Sequence, residues 1–353
     1  MAAPRIVIAA GGTAGHVVPA LAVADALRAE GAQVAFIGGS RAEAQLVPAA
    51  GFELHALAVE GLSRTSPVRA ARALGLAALA APRARALLGK LAPGAVMGAG
   101  GYVAGPVGLA ALSRRVPLVL TEADSHLGVT NRLLAPFARR VCLAFPIAGR
   151  DEPRYRVTGR PIPAFAHDRA QARRRFGIEP DATCVLVFGG SLGARSINLA
   201  AIDAFADQPF RVLHVCGRRD HPELTARALR DGYDLREYLD LEEFADALAA
   251  ADLALARSGG SVFEIAAHGL PAILVPYPHA SGNHQQANAR WMADAGAAVV
   301  IADAQLSAPS LREAVAALLG DRERLAAMAA AAESLARPDA AREVAQELLE
   351  AAA

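Results

Sequence analysis

The sequence predicts an α/β protein built from two parallel-sheet domains. Three observations carry that reading. Short β-branched runs alternate with Ala/Leu-rich helical stretches. A strand entering a Gly-Gly loop and then a helix occurs twice, at residues 11 and 189. The chain has 353 residues, more than the roughly 250–300 at which a single core stops growing.

The elements follow in order. Residues 5–10 read as a strand, 17–30 as a helix and 33–37 as the next strand. Further strands are expected at 95–97, 117–120 and 141–143. The rhythm restarts with a strand at 183–188, followed by 211–215, 253–255, 272–275 and 298–301. Two prolines interrupt residues 159–163, so the break is placed there. The expected domains are 1–160 and 161–337. An Ala/Glu helix at 338–353 is free to pack back on the first.

Composition excludes several classes. Hydrophobic residues make up 54% against 20% charged, too apolar for a disordered chain. A net charge of +1 gives no global pull toward nucleic acid. Cys142, Cys184 and Cys216 lie far apart, which suits a reducing compartment and neither a disulfide framework nor a zinc site. The N-terminal apolar run is too short for a signal peptide and lacks a basic start. Residues 91–113 carry no charge, but glycines 94, 98, 100, 101, 105 and 108 with Pro93 and Pro106 fit a strand, loop and helix better than a membrane span.

Five features carry chemistry. Gly11-Gly-Thr-Ala-Gly-His16 follows the first strand, where helix N–H groups favour negative charge. His16 reads either as a surface or cap histidine or as a group facing the ligand crevice of a parallel sheet. Gly189-Gly-Ser-Leu-Gly-Ala-Arg195 repeats the motif, and Ser191 with the N–H groups of Leu192 and Gly193 suits a diphosphate. Arg257-Ser-Gly-Gly-Ser-Val-Phe-Glu264 places a carboxylate, Glu264, where it can accept two ribose hydroxyls or sit solvated. In residues 276–288, Gln285 and Gln286 carry donors and acceptors suited to sugar hydroxyls. His279 and His284 have no carboxylate at ligand spacing, and no Asp-x-Asp pair exists, so no metal site is expected. Lastly, no acidic residue lies between Glu60 and Glu122, while Arg69, Arg72, Arg83 and Arg85 interleave with Leu76 and Leu79. That stretch reads either as a surface for anionic lipid or as an arginine-rich helix covering the sheet.

Together with Gly98-Ala-Gly-Gly-Tyr-Val-Ala-Gly-Pro106 and His284-Gln-Gln-Ala-Asn288, these motifs resemble the MurG family of glycosyltransferases over residues 5–302. The resemblance implies a GT-B fold, two Rossmann-like domains facing across a cleft. It implies inverting transfer of GlcNAc from UDP-GlcNAc to the MurNAc 4-hydroxyl of lipid I, at the cytoplasmic face of the membrane and without a metal. His16 would be the general base, with Glu122 in reserve. The donor would meet Thr13, Gly15, Asp124, Ser191, Leu192, Gly193, Arg257, Ser258, Gly259, Glu264, Gln285 and Gln286, with Leu241 or Phe244 flanking the uracil. Gly100, Gly101, Tyr102, Gly105 and Asn131 would face the acceptor. Arg69, Arg72, Leu76, Leu79, Arg83 and Arg85 would meet the anionic inner leaflet. Other cell-wall synthesis and division proteins are implied partners; nucleic acid is not.

The sequence departs from the family pattern at Ala14, at Thr121-Glu-Ala-Asp124 and at Gly159-Arg-Pro-Ile-Pro163. These departures keep open a GT-B transferase with another UDP-sugar or acceptor. A UDP-GlcNAc 2-epimerase shares the two-domain plan, but the basic stretch argues against it. A non-catalytic nucleotide-sugar-binding protein of the cell-wall machinery need not keep His16, Glu264 and the Gln pair.

Overall fold

The computed structural model describes residues 3–59, 67–164, 168–190, 192–227 and 230–353. Its contacts divide the chain into two units, 1–164 with 337–353 and 165–336.

Unit 1 runs β1 (Arg5–Ala9), α1 (Ala14–Ala29), β2 (Gln33–Gly38), α2 (Ala42–Ala49), β3 (Glu53–Ala56), α3 (Pro67–Leu91), β4 (Ala95–Gly98), α4 (Ala104–Ser113), β5 (Leu118–Glu122), α5 (Val129–Leu134), β6 (Arg140–Leu143) and β7 (Tyr155–Val157). Its strands form one parallel sheet in the order β3-β2-β1-β4-β5-β6-β7. Unit 2 runs α6 (Arg169–Arg175), β8 (Cys184–Phe188), α7 (Arg195–Ala204), β9 (Arg211–Val215), α8 (His221–Thr225), β10 (Tyr233–Arg236), α9 (Leu241–Ala250), β11 (Leu253–Ala256), α10 (Val262–Ala267), β12 (Ala272–Leu274), α11 (His284–Asp294), β13 (Ala298–Val300), α12 (Ala308–Leu319) and α13 (Arg322–Leu335). Its parallel sheet has the order β10-β9-β8-β11-β12-β13. Each unit is thus a doubly wound Rossmann-like domain. Helices cover both faces, so the central strands are buried on both sides and read as continuous apolar runs.

Three edge strands, β3, β7 and β10, had no sequence expectation. They are short, and most of their residues are only half-buried. With water on one flank, these three carry polar residues and lose the apolar signature, whereas β13, the remaining edge, keeps Ala298-Val-Val300. Residues 91–113, uncharged throughout, resolve into β4, a glycine loop and α4. No helix among the described residues is long and apolar enough to cross a membrane.

The last helix, α14 (Ala340–Ala352), belongs to unit 1. It packs on α1, β4 and β5 through Val344, Ala345 and Leu348. Glu347, 3% exposed, accepts from Arg140 Nε at 2.5 Å and Arg156 Nη1 at 2.8 Å. The carboxylate is desolvated but doubly paired, which orients the helix against β6 and β7.

α1 begins at Ala14, three residues before the expected start, so His16 lies in its first turn. Pro19 sits inside this helix and has no N–H for the carbonyl of Gly15. Arg160 Nη2 supplies the missing donor at 2.6 Å. The arginine that departs from the family pattern at the interdomain prolines therefore repairs the helix that carries His16.

Candidate active site

In unit 1, four loops follow the carboxyl ends of β1, β2, β4 and β5, and they hold the residues singled out there. The loops approach closely because they are built on glycine. A Cβ at Gly101 (φ +72°) would lie 2.0 Å from the carbonyl oxygen of Gly11. A Cβ at Gly100 (φ +80°) would lie 2.8 Å from Cδ2 of His16. Only glycine lets the 100–101 backbone close over the imidazole. His16 is half-buried, and its enclosed Nδ1 has no hydrogen-bond partner among the described residues. Burial and the Arg160 guanidinium hold its pKa below the usual imidazole value, with Asp124 pulling the other way. The side chain is therefore neutral near pH 7, the form a base requires.

Glu122 ends β5 at 8% exposure. Its carboxylate accepts from the N–H of Gly128 at 2.8 Å, from Asn131 Nδ2 at 2.9 Å and from the N–H of Asp124 at 3.2 Å. Burial pushes its pKa upward against these bonds. Such a carboxylate folds the 123–128 loop. Its oxygens are occupied, which makes it a poor second base. Asn131, expected at the acceptor, is 4% exposed and donates its NH₂ to Glu122 and to the Thr121 carbonyl. Thr13 and Gly15 are exposed at the start of α1, and Gly105 is half-buried against Thr130.

Sequence reasoning missed Glu43. It is fully buried on α2. It accepts from the N–H of Gly12 at 2.9 Å, the N–H of Gly39 at 2.9 Å, the N–H of Arg41 at 3.4 Å and the hydroxyl of Tyr102 at 2.8 Å. One carboxylate thus ties together three loops of the site. Tyr102, expected to face the acceptor, gives its hydroxyl to Glu43 instead. Burial works to raise the pKa of Glu43, but these bonds win and hold it below the usual carboxylate value. Burial and Glu43 together push the Tyr102 phenol up to about 12. The only hint in the sequence was an acidic residue in the first turn of a short helix, and that pattern also fits an ordinary dipole pairing.

In unit 2, three loops follow β8, β11 and β12. The 189–195 loop turns through Gly190 (φ +87°) and Gly193 (φ +73°) and leaves Leu192 78% exposed. Ser191 lies outside the described residues. Glu264 sits half-buried in the first turn of α10. Gln285 and Gln286 open α11, half-buried. The side-chain Oε1 of Gln285 accepts from the N–H of Tyr277 at 2.9 Å, which leaves its NH₂ end for a ligand. Leu241 and Phe244 open α9, with the Phe244 ring edge-on to Phe188 at 5.0 Å.

Two residues expected at the donor also make contacts within the unit. Arg257 is 8% exposed and turned inward. It donates to the carbonyls of Val275 and Pro276 at 3.0 and 3.3 Å and to Ser196 Oγ at 2.8 Å, and it pairs with Asp303 at 2.6 Å. The Ser258 side chain is fully buried and gives its hydroxyl to the main-chain carbonyl of Gln285 at 2.7 Å. Asn288 Nδ2 in turn donates to the Ser258 carbonyl at 3.0 Å. Both residues clamp the loops together, because the carbonyls at the ends of β12 and α11 offered partners before any ligand could. Gly259 is half-buried at the loop surface.

Among the described residues, no group of three or more His, Cys, Asp or Glu is arranged to hold a metal ion. In unit 1, Leu79 on α3, Leu109 on α4, Val129 and Leu133 on α5, and Phe137 just beyond are all exposed. α3 packs on α4, and α4 on α5. Arg83 and Arg85 are exposed on the same α3, and Arg85 also donates to Ser113 at 2.7 Å. The side chains of Arg69, Arg72 and Leu76 lie outside the described residues.

Residues 6–143 match the glycosyltransferase family 28 N-terminal domain, and 184–344 match its C-terminal domain. The chain is 42% identical to a UDP-N-acetylglucosamine--N-acetylmuramyl-(pentapeptide) pyrophosphoryl-undecaprenol N-acetylglucosamine transferase of Moorella thermoacetica, covering 98% of both. It is 45% identical to the enzyme of the same description from Rubrobacter xylanophilus, covering 93% of this chain and 98% of the relative. A crystal structure of Acinetobacter baumannii MurG matches with a TM-score of 0.77 at 29% identity, over 99% of this chain and 100% of that one.

Proposed function

The chain belongs to glycosyltransferase family 28, and on that premise we propose that it transfers GlcNAc from UDP-GlcNAc to the MurNAc 4-hydroxyl of lipid I, a step of peptidoglycan synthesis. What supports this is, in unit 1, a half-buried His16 whose pKa lies below the ordinary imidazole value and, in unit 2, Glu264 in the first turn of α10 with Gln285 and Gln286 at the start of α11.

The reaction divides between the units. The acceptor hydroxyl has a high pKa and attacks only as its proton leaves. His16 takes that proton as the oxygen bonds to the anomeric carbon from the face opposite the leaving group. The anomeric carbon–phosphate oxygen bond breaks, the configuration inverts, and UDP departs. Its diphosphate gains charge, which the N–H groups of the 189–195 loop and of Gly259 and Gly260 offset. Glu264 accepts the ribose hydroxyls. The NH₂ of Gln285, whose carbonyl is already engaged, donates to the sugar. Phe244 and Leu241 give the uracil an apolar edge. Ser191 completes the diphosphate seat. Glu122 and Glu43 shape the acceptor loops without taking protons.

A transfer assay tests this reading. With labelled UDP-GlcNAc and a short-chain lipid I analogue, in EDTA, label moves to lipid only when acceptor is present. Label released without acceptor would favour an epimerase or hydrolase, and loss of activity in EDTA restored by Mg²⁺ would refute metal-independent transfer.

The acceptor is a membrane lipid, and the exposed apolar residues of α3, α4 and α5 with Arg83 and Arg85 support peripheral attachment to an anionic cytoplasmic leaflet. Apolar insertion and basic attraction act together, since neither alone holds a protein firmly. The double variant Leu133→Glu/Phe137→Glu should lose co-sedimentation with phosphatidylglycerol vesicles yet keep transfer to a soluble acceptor analogue. Undiminished sedimentation would remove this surface from the membrane contact. Other cell-wall synthesis and division proteins are proposed partners at the same surface of the cell.

A further inference from the structure

Beneath the 189–195 loop runs a buried chain of hydrogen bonds that no step above uses. His214 on β9 and Asn198 on α7 are fully buried, and Tyr233 on β10 nearly so. The Tyr233 hydroxyl lies 2.9 Å from His214 Nδ1, and His214 Nε2 lies 3.1 Å from Asn198 Oδ1. Asn198 Nδ2 donates to the Cys216 carbonyl and to Asp220 Oδ2, both at 2.8 Å.

The donor direction follows by elimination. A carbonyl and a carboxylate only accept, so the Asn198 NH₂ faces them and its Oδ1 faces the imidazole. Oδ1 also only accepts, so His214 Nε2 carries the proton. Nδ1 is then a lone pair, and the Tyr233 hydroxyl donates to it. Burial pushes the His214 pKa down to about 3, so the neutral ring persists across working pH. Every bond points the same way, from Tyr233 toward Cys216 and Asp220.

The far end of this chain carries the loop. A Cβ on Gly193 would lie 2.0 Å from the Cys216 carbonyl oxygen, and one on Gly217 would lie 2.5 Å from the Gly193 nitrogen. The loop backbone therefore rests directly on Cys216 and Gly217. Asp220, 1% exposed, also accepts from Arg219 at 2.8 and 3.0 Å and from Arg195, the first residue of α7, at 3.3 Å. A central strand of a doubly covered sheet asks for an apolar side chain at position 214. A histidine there needs both ring nitrogens satisfied to be tolerated, and here satisfying them orients Asn198.

We infer that His214 is a positioning residue for the donor diphosphate: through Asn198 it fixes the Cys216 carbonyl and the Asp220 carboxylate on which the 189–195 loop is seated. The inference rests on the reading of unit 2 as the UDP-GlcNAc site.

The test compares the wild type with His214→Leu and His214→Gln, by calorimetry with UDP and by steady-state transfer. Leucine fills the space but leaves Asn198 Oδ1 without a donor. Glutamine returns an N–H near the place of Nε2. His214→Leu should weaken UDP binding and raise the UDP-GlcNAc KM about tenfold, with the acceptor KM unchanged. His214→Gln should restore both to within about twofold. Thermal melts establish that each variant is folded at the assay temperature. If His214→Leu does not fold, Asn198→Ala should give the same donor-specific loss. A folded leucine or alanine variant with a lowered Tm but wild-type UDP affinity would overturn the inference and leave the donor site standing. A wild type that does not bind UDP would overturn the donor reading, and the inference with it.

Discussion

His16→Ala should lower kcat by about 10²- to 10⁴-fold, the usual worth of a general base, while UDP affinity stays unchanged. The separation of the two effects is the point of the measurement. His16 lies in unit 1, and Glu264, Gln285 and Gln286, proposed to hold the donor, lie in unit 2. Single-turnover transfer alongside a UDP titration reads both. The pH profile adds a second check. Burial and Arg160 hold the His16 pKa below its ordinary 6.5, so the acid limb of the rate should fall below that value. Arg160→Leu removes one of the two causes and should move the limb upward. It also strips the Gly15 carbonyl of the donor that stands in for the N–H that Pro19 lacks, so the variant should melt earlier. Unchanged turnover in His16→Ala would remove the histidine from the chemistry.

Glu43→Ala should cost about 3 kcal/mol of stability and raise the acceptor KM with little change in the donor KM. The stability loss follows from what the carboxylate holds. Removing it leaves the N–H groups of Gly12 and Gly39 and the Tyr102 hydroxyl without their acceptor. The kinetic loss follows from where they sit, on the three loops around His16. The pH dependence has a definite sign. The folded pKa lies below the ordinary 4.5, so the contribution is fully present above pH 4.5 and is lost as pH falls through the folded value. Melts of wild type and Glu43→Gln at pH 7 and in the acid range should therefore converge on acidification. A gap that stays constant with pH would show that the ionised form is not what stabilises the fold.

Much of this molecule was legible in its residues, and the parts that were not share a cause. The buried strands β1, β2, β4, β5, β8, β9, β11 and β12 announce themselves as apolar runs because both faces of each are covered. The edge strands β3, β7 and β10 do not, because half of each faces water. The glycine loops and the order of motifs led to the family. Two of the expected contacts, Arg257 and Ser258, have the residue types a nucleotide site uses. Their direction, however, is set by carbonyls contributed from the ends of β12 and α11, far along the chain. Asn131 and Tyr102 were likewise claimed by Glu122 and Glu43, carboxylates that sequence spacing cannot aim.

By itself, then, the sequence determined two doubly wound domains and the glycine loops at the ends of their strands. Periodicity and glycine placement are local properties, set by which φ/ψ regions and which faces a short segment can use. Tertiary structure alone decided which polar groups face a ligand and which face each other. That choice depends on partners brought together from distant segments: Arg160 with Gly15, Glu43 with Gly12 and Tyr102, and His214 with Asn198. A buried donor or acceptor takes whichever partner the packing delivers, because leaving it unpaired costs more than any single contact to substrate returns.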